Sequence, residues 1–379
     1  MIPYGRQTID ENDIQAVVNV LRSDWLTTGP KVDEFENAFA DFIGAKHAVA
    51  VSSGTAALHS SMFALNIGSG DEVIVPPLTF AATANCIVYQ GGTPVFTDVC
   101  PDTLLLDPEK IEEKITPRTK AIIAVDYTGH PCDYDELRAI ANKHGLKIIA
   151  DSCHALGGEY KGTKVGLLAD ITVFSFHPVK HITTAEGGML TTSSIKIKNR
   201  ANLFRNHGIN SNFRDREKKD TWQYEMVDLG YNYRITDLQC ALGVSQLLKL
   251  ANFLKRRREI AARYDHFFSH QARIKPLSVH ENVRHAYHLY VIRMDFDAFG
   301  TTQTEIFRSL RQKGIGVNVH YMPVHLHPFY RDKYGTGPGM CPVAEANYGQ
   351  LLSLPLYPEM KNNEVDFVIE AFLSTINGQ

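Results

Sequence analysis

Seven short, apolar, β-prone runs alternate with helical stretches such as Ala56–Leu65 and Tyr134–Lys143. Apolar strands separated by helices are typical of a mostly parallel sheet with both faces covered, because neither face meets water. The runs are Ala48–Val51, Val73–Val75, Pro94–Phe96, Ala121–Val125, Lys147–Ala150, Ile171–Phe174 and Met189–Thr192. The sequence therefore predicts an α/β fold, whose ligands bind at the carboxyl ends of the strands.

Helical periodicity flanks this region on both sides. Apolar residues spaced from Ile14 predict a first helix that Asp10 or Asn12 can cap. The other predicted elements are a helix over Val32–Ile43, a long helix over 235–268, a strand Tyr287–Met294, a helix Gln303–Lys313 and a strand Val317–His320. Because 379 residues are many for one core, we expect a large domain, 1–250, and a smaller α+β domain, 251–379.

Composition narrows the class of protein. A net charge of −3 does not favour binding to nucleic acid or to an anionic membrane, and the basic run Lys255–Arg258 is expected to be a solvated helix face. The opening residues lack a secretory signal, and no apolar run approaches the ~18 residues that span a bilayer. Six scattered cysteines without a CxxC pair predict free thiols and a cytoplasmic protein.

Lys180 stands in the middle of FSFHPVKHITTAEGG, a loop between two apolar runs. An ammonium group is costly to bury, but burial lowers its pKa and makes the amine nucleophilic. We interpret Lys180 as a Schiff-base lysine that holds pyridoxal 5′-phosphate (PLP). The alternative is an ordinary solvated lysine.

Other polar groups follow the predicted strands. Ser52–Thr55 precedes a helix, so it is either a phosphate site or a plain N-cap. Asp151 ends a strand, where it would keep the PLP ring nitrogen N1 protonated or cap the next turn. His154 would hydrogen-bond Asp151 or the O3′ of the ring. Together these groups place a carboxylate and a phosphate cradle near the amine of Lys180.

Three further side chains complete the predicted site. The Ser175 hydroxyl is a candidate phosphate contact. Phe80 would stack on the cofactor ring or belong to the core. His177 and His181 lie four residues apart, but Pro178 intervenes and no HExxH carboxylate is present, so we predict no metal.

The chain resembles the DegT/DnrJ/StrS family of PLP-dependent nucleotide-sugar aminotransferases over nearly its whole length. The runs that carry the likeness are SDWLTTGP, VSSGTAALH, PPLTFAATANC, ADSCHALGGEYKG, FSFHPVKHITTAEGG, LGYNYRITDLQCALG and VHYMPVHLHP. The resemblance implies an aspartate-aminotransferase-like fold (PLP fold type I) and a homodimer with shared active sites. It implies Lys180 as the Schiff-base lysine, Asp151 against N1 and His154 near O3′. Gly54, Thr55 and Ser175 would hold the phosphate, and Asn232 would reach it from the other subunit.

Within the family, the opening YGRQ and the HYMP run look most like the branch of pseudaminic acid biosynthesis, whose product is UDP-4-amino-4,6-dideoxy-N-acetyl-β-L-altrosamine. The likeness implies transfer of an amino group from L-glutamate to C4 of a UDP-linked 4-keto-6-deoxy N-acetylhexosamine, ping-pong through pyridoxamine phosphate (PMP). The residues implied to contact substrate are Tyr4, Asp24, Trp25, Leu26, Thr27, His320, Tyr321, Met322 and Pro323.

One minor departure from this likeness is Ala185, which stands where many members have glycine. Family 3-dehydratases carry histidine in place of the lysine, so the presence of Lys180 disfavours that branch. Amination at C3, a dTDP-linked substrate and a non-catalytic PLP-binding regulator stay open as alternatives. Candidate diphosphate donors are Arg6, His320 and His325, and candidate apolar walls are Tyr4, Trp25 and Tyr321.

Overall fold

A computed structural model describes residues 1–218 and 220–377. Its helices are α1 Glu11–Leu21, α2 Pro30–Ile43, α3 Gly54–Ala64, α4 Ala82–Tyr89, α5 Tyr134–His144, α6 Ile195–Arg205, α7 Phe213–Lys218, α8 Asp237–Leu247, α9 Leu250–Phe268, α10 Gln303–Gln312, α11 Pro328–Tyr334, α12 Pro342–Tyr348 and α13 Asn362–Asn377. Its strands are β1 His47–Val51, β2 Glu72–Val75, β3 Thr93–Phe96, β4 Thr119–Val125, β5 Lys147–Asp151, β6 Glu159–Tyr160, β7 Thr163–Lys164, β8 Ile171–Ser175, β9 Gly188–Thr192, β10 Ile274–Pro276, β11 Val283–Arg284, β12 Tyr290–Met294 and β13 Leu351–Leu354.

A seven-stranded sheet in the order β1-β9-β8-β5-β4-β2-β3 forms the centre of the molecule. The neighbours from β8 to β3 are parallel, whereas β9 runs antiparallel to both β1 and β8. These strands are the seven predicted from the apolar runs, so the α/β fold with a mostly parallel sheet is confirmed. Since β4, β5 and β8 are parallel, their carboxyl ends Val125, Asp151 and Ser175 lie at one edge of the sheet.

Burial explains why these strands read as apolar runs without alternation. All of β2 and β9 is buried, as is every residue of α3 except Thr55. On another part of the core, Phe39 packs against Phe174 and Phe176 with ring centroids 5.1 and 5.6 Å apart. Helices thus cover the sheet, as the sequence pattern predicts.

A second apolar core lies in the C-terminal part of the chain. It is formed by residues between Ile260 and Ile376 around the sheet β10-β12-β13, and Ile2 packs against it. The predicted strand at 287–294 begins at Tyr290, and the predicted helix at 303–313 is α10. A division into domains 1–250 and 251–379 stays a prediction.

Two predicted elements are wrong. The long helix over 235–268 is two helices, α8 and α9, because the chain breaks at Leu248 and Lys249, where Lys249 turns to pair with Asp10 and Asp13 of the first helix. No glycine or proline marks this break.

The strand predicted over Val317–His320 is a single bridge between Asn318 and Ser353. The side-chain oxygen of Asn318 accepts a hydrogen bond from the Val319 amide at 2.8 Å, so the pairing between strands does not continue beyond this bridge. The first helix is as predicted, with Asp10 as its N-cap.

The basic run 255–258 is not the solvated face that the sequence suggested. Arg257 is 0% exposed and donates to the carbonyls of Tyr287, His288 and Leu356. Arg258 donates to the His285 carbonyl at 3.1 Å. The run therefore fastens α9 to the segment that precedes β12.

Two global features complete the description. All six cysteines are free thiols, as predicted. Over the ranges described, no helix combines the length and apolar character required to cross a membrane.

Candidate active site

A cavity of about 500 Å³ opens at the carboxyl ends of β4, β5 and β8. This is the edge at which parallel α/β sheets bind ligands. Ten of the residues predicted from sequence line it: Tyr4, Gly54, Thr55, Phe80, Asp151, His154, Ser175, Lys180, His320 and Tyr321. The fold therefore brings together side chains that are more than three hundred positions apart in sequence.

Lys180 projects into this cavity from the loop between β8 and β9, where it is partly buried. Its Nζ lies 3.3 Å from Nε2 of His288. Burial lowers the pKa of the Lys180 amine, whereas Cys153 and Asp151 act in the opposite direction. A lysine with a lowered pKa in a cavity is suited to nucleophilic and acid–base chemistry.

Asp151, the last residue of β5, is buried at the cavity. Its Oδ2 accepts a hydrogen bond from Thr83 Oγ1 at 2.7 Å, and its Oδ1 accepts one from the Cys153 amide at 3.3 Å. Thr83 is itself hydrogen-bonded to Thr79, with the two hydroxyl oxygens 2.6 Å apart. The hydroxyls thus orient a carboxylate that has no ion pair in 1–218 and 220–377.

The turn from β1 into α3 serves as an N-cap and also approaches the cavity closely. Ser53 Oγ accepts from the Ala56 amide at 3.0 Å, so the N-cap interpretation is confirmed for this residue. A Cβ on Gly54 would lie 2.9 Å from Ser175 Cβ, and one on Gly188 would lie 2.4 Å from the Ser53 carbonyl oxygen. Glycine is required at both positions because the backbones approach so closely. The cap leaves Gly54 and Thr55 at the cavity, at the positive end of α3.

His154 does not hydrogen-bond Asp151, as one interpretation of the sequence proposed. Its Nε2 pairs with the hydroxyl of Tyr321 at 3.2 Å instead, and its ring lies 4.3 Å from that of His288. Burial lowers the pKa of His154 well below 6.5, and the charge of Lys180 lowers it further. His154 is therefore a neutral imidazole whose buried Nδ1 has no partner in the part of the chain that the structure describes.

Phe80 is not a core residue. It is 63% exposed at the cavity, with its ring 6.3 Å from that of Tyr321. A large aromatic side chain held this far out of the core is available to cover a flat ligand.

Two of the predicted diphosphate donors are wrong. His320 uses both ring nitrogens within the protein, with Ser353 Oγ at 2.8 Å and Asn318 Nδ2 at 3.2 Å, and burial lowers its pKa to about 3. His325 is 0% exposed and pairs with Glu345 at 2.9 Å. His320 is therefore a neutral, fully paired imidazole, and His325 is buried away from the cavity, whereas Arg6 is exposed.

Some predicted residues lie outside the cavity of their own chain. They are Asp24, Trp25, Leu26, Thr27, Asn232, Met322 and Pro323. The loop with Trp25 adjoins the segment after Asn232, since Thr27 bridges Thr236 and the Leu26 carbonyl accepts from the Asp237 amide at 3.0 Å. Met322 and Pro323 directly follow Tyr321, which does line the cavity.

The cavity residues missed by the sequence reasoning include Thr83, Cys153 and His288. Thr83 lay within the run PPLTFAATANC, where its spacing of four from Thr79 on a helix start was the available signal. Cys153 lay between two predicted residues, beside Asp151. His288 comes from the C-terminal part of the chain, 108 positions from Lys180, and no local pattern announced it.

The two histidines considered as a metal site lie in different environments. His181 is buried with Nε2 3.0 Å from the Ala286 carbonyl, whereas His177 is exposed. Within the described ranges, no group of three or more histidine, cysteine, aspartate or glutamate side chains is placed to hold a metal ion.

The residues of the cavity fit PLP. The Gly54 turn provides a small, positively polarised cradle for a phosphate, and a Cβ there would fill it. Asp151 is a buried carboxylate that accepts from two donors within residues 1–218 and 220–377, so it can accept a further proton donor such as a pyridinium N–H. Two further polar groups are available to PLP in the cavity. They are Nδ1 of His154, which has no partner within the described ranges, and the amine of Lys180.

Comparison with known proteins agrees with this geometry. Residues 7–373 match the DegT/DnrJ/EryC1/StrS aminotransferase family. The spore coat polysaccharide biosynthesis protein SpsC of Bacillus subtilis is 44% identical over 379 residues, which cover 100% of this chain and 97% of SpsC.

Solved structures give the same result. A putative sugar aminotransferase of Streptococcus pneumoniae in its PMP form superposes with a TM-score of 0.93 at 35% identity, with both chains covered in full. Helicobacter pylori PseC, an aminotransferase involved in the biosynthesis of pseudoaminic acid, gives a TM-score of 0.92 at 34% identity, again over both full chains. The chain therefore belongs to the DegT/DnrJ/EryC1/StrS family of sugar aminotransferases, with PLP fold type I and PLP as its cofactor.

Proposed function

We propose that this protein transfers an amino group from L-glutamate to C4 of a UDP-linked 4-keto-6-deoxy N-acetylhexosamine. The observation that carries the catalytic part is the convergence of Lys180, Asp151 and the Gly54 turn on one cavity. An amine, a buried carboxylate and a phosphate cradle are the groups that PLP-dependent amino transfer requires.

The cofactor would be held by groups from three parts of the chain. Gly54, Thr55 and Ser175 would bind its phosphate at the N-terminus of α3, where the helix dipole favours an anion. Phe80 would cover one face of the ring. When bound, PLP supplies an electron sink that makes the substrate Cα–H acidic and carries the amino group between the two substrates.

Two residues manage the protons. Asp151 holds a proton on the ring nitrogen N1, and the Thr83 hydroxyl fixes the orientation of that carboxylate. Lys180 Nζ would hold the cofactor covalently and, when free, would take a proton from the substrate carbon and return it as general base and acid. Burial supports this role because it lowers the pKa of the amine. His154 is neutral and would serve as a hydrogen-bonding group toward the ring oxygen O3′.

The substrate assignment draws on the YGRQ and HYMP runs. The side chains of Tyr4, His320 and Tyr321 line the cavity that contains Lys180. The ring of Tyr4 lies 5.4 Å from that of His320, so the N-terminal segment and the HYMP run form one wall. PseC is an aminotransferase involved in pseudoaminic acid biosynthesis, and its structure matches this chain over the full length, which supports an assignment to that branch of the family.

A homodimer with shared active sites accounts for the residues that lie outside the cavity. The segment before Asn232 exposes six large apolar side chains, which we call the apolar face: Trp222, Tyr224, Met226, Val227, Leu229 and Tyr231. Trp222 is 82% exposed and Leu229 is 67% exposed. Exposed apolar surface of this kind marks an interaction site, so we propose that Asn232 and the loop 24–27 serve the partner's cavity.

A second substrate is favoured by one observation. SpsC is 44% identical to this chain, against 34% for PseC. Amination of another nucleotide-linked keto sugar, such as a dTDP-linked one or one aminated at C3, is therefore the alternative.

A panel of nucleotide-linked keto sugars tests the proposal. Each sugar is incubated with the protein and L-glutamate, and the position of the new amine is read by NMR. Preferential C4 amination of the UDP-linked sugar is the expected result, and Lys180→Ala is the inactive control. Preference for a dTDP-linked sugar or amination at C3 refutes the substrate assignment. Absence of turnover with any sugar favours a regulatory PLP-binding protein.

A further inference from the structure

His288 is a buried imidazole that faces the amine of Lys180. The distance from its Nε2 to Lys180 Nζ is 3.3 Å, and its side chain is buried beside His154. Burial lowers the pKa of His288 well below 6.5, and the charge of Lys180 lowers it further. The imidazole is therefore neutral, and a neutral imidazole nitrogen can accept a hydrogen bond from an ammonium group.

The backbone that presents His288 is held in an unusual conformation. Tyr287 has a φ of 49°, a left-handed conformation that is unfavourable for a bulky residue. Its amide donates to His285 Nδ1 at 2.8 Å, and its carbonyl accepts from Arg257 Nη1 at 3.2 Å. Strained backbone persists where the surroundings over-determine it, and such positions cluster at functional sites.

The turn that contains Thr128 and Gly129 also holds the segment 286–288 in place through backbone contacts. The His288 amide donates to the Thr128 carbonyl at 2.8 Å, and the Ala286 amide donates to the Gly129 carbonyl at 2.9 Å. A Cβ on Gly129 would lie 2.8 Å from the Tyr287 nitrogen and 3.1 Å from the His288 nitrogen. The position of the imidazole is thus set by contacts on both sides of the chain.

We propose that His288 is a positioning residue, which accepts a hydrogen bond from Lys180 Nζ whenever that amine is not attached to the cofactor. This inference rests on the role of Lys180 given above. The hydrogen bond points the free amine toward the cavity and stabilises its protonated form. It thereby opposes the burial that lowers the pKa of Lys180.

The other groups that face Lys180 act on the same proton. Asp151 and Cys153 at the end of β5 raise the pKa of the amine, and Arg257 on α9 lowers it. His154, His181 and His320 face it as neutral imidazoles, and Tyr4, His177, Glu186 and Tyr321 also line the cavity. His288 is the imidazole within hydrogen-bonding distance of Nζ in residues 1–218 and 220–377.

The test measures the pH dependence of Lys180 acetylation in the full chain without cofactor. Acetic anhydride is the probe, and mass spectrometry of the peptide that carries Lys180 gives the rate. His288→Leu removes the acceptor, whereas His288→Gln retains an amide oxygen in its place. His59→Leu is the matched control, because His59 is a buried histidine whose ring nitrogens pair with Tyr233 and Gln90 rather than with Lys180.

In His288→Leu, the midpoint of the rate profile moves to lower pH, and the rate at neutral pH rises about tenfold, which corresponds to the loss of one hydrogen bond to a charged group. His288→Gln and His59→Leu keep the wild-type midpoint. An unchanged or higher midpoint in His288→Leu, or the same shift in His288→Gln, overturns the proposal. Should His288→Leu not fold, His288→Asn, whose amide is too short to reach Nζ, is measured in its place.

Failure of this inference is separable from failure of the proposed function. Borohydride reduction of the wild-type protein with PLP reports on whether Lys180 attaches the cofactor, whatever the acetylation profile shows. Attachment at Lys180 with an unchanged profile in His288→Leu rejects the role of His288 alone. Attachment elsewhere rejects the role of Lys180 and this inference with it.

Discussion

The cavity floor and the apolar face contribute to the proposed site in different ways. We define the cavity floor as Asp151, His154 and Lys180, which are connected to their surroundings by hydrogen bonds within one chain. The apolar face around Leu229 and the adjoining Asn232 lie outside that chain's cavity. A single chain thus contains the groups proposed for proton transfer, whereas the proposal assigns the remaining walls to a second chain.

The largest expected effect comes from the cavity floor. Asp151→Asn removes the charge that keeps N1 protonated, with nearly the same shape, so we expect the rate of amino transfer to fall about a thousandfold or more. PLP binding should survive because the phosphate and amine contacts remain. Steady-state kinetics and the absorbance of bound PLP measure the two effects.

Asp126→Asn is the matched control for this change. Asp126 is a buried carboxylate just beyond β4, but it pairs with Ser152 and Tyr134 and does not line the cavity. We expect its variant to keep the rate within about tenfold of wild type. Equal losses in both variants would show that any buried charge at this sheet edge matters as much as Asp151.

Mixed dimers compare the two regions directly. Lys180→Ala and Asn232→Asp are each expected to be inactive, but a hybrid of the two has one site with both residues intact. Statistical mixing then restores about a quarter of wild-type activity. Activity of refolded mixtures is the measurement, with native mass spectrometry to count the hybrids.

The control for the hybrid uses two residues of the cavity floor. Lys180→Ala mixed with Asp151→Asn should restore no activity, because both residues line the cavity of one chain and every site lacks one of them. Recovery in this mixture, or none in the first despite hybrid formation, would reverse the assignment of the two regions.

A smaller effect concerns the pH dependence of stability. Burial raises the pKa of Asp126 to about 7, so the folded chain keeps a proton that the unfolded chain, with its usual pKa of 3.8, has released. The contribution of Asp126 to the free energy of unfolding therefore falls as the pH rises through this window. Between about pH 5 and about pH 7, the stability of wild type relative to Asp126→Asn should fall by about 2 kcal/mol. Urea titrations at several pH values measure the difference, and parallel pH curves would contradict the explanation.

The smallest expected effect lies in the loop after Lys180. Ala185 has a φ of 64°, the left-handed region in which glycine carries no penalty. Ala185→Gly should leave stability unchanged or raise it by up to about 1 kcal/mol, since relief of strain is partly offset by the freedom of glycine in the unfolded chain. Ala262→Gly, on an exposed position within α9, is the control and should cost about 1 kcal/mol. Thermal melts that show equal losses for both would contradict this account of Ala185.

The sequence predicts the cavity floor better than its surroundings for a physical reason. Asp151 ends an apolar run, and Lys180 follows another, so the topology of a parallel sheet places both at one edge. The hydroxyl of Thr83 and the imidazole of His288 reach the same point only through packing between distant segments. Sequence periodicity does not encode such contacts.

Tertiary contacts also account for the elements that were wrong. The break between α8 and α9 follows from the ion pairs of Lys249 with the first helix, and no local helix breaker is present. Arg257 belongs to a basic run of the kind that is typical of a solvated helix face. It is nevertheless buried, and its guanidinium donates to the backbone carbonyls of three residues from distant segments. Periodicity within one sequence does not predict contacts between two chains, so it cannot place Asn232 and the loop 24–27 relative to the cavity of a proposed partner.

The central claim, that Lys180 is the residue to which PLP is attached, has one direct test. The wild-type protein is loaded with PLP and reduced with borohydride, and the modified peptide is located by mass spectrometry. Lys180→Ala is treated in parallel and should bind PLP without covalent attachment. The account predicts a single modified lysine, Lys180, and loss of amino transfer in the variant. Modification of another lysine, with activity retained in Lys180→Ala, would contradict it.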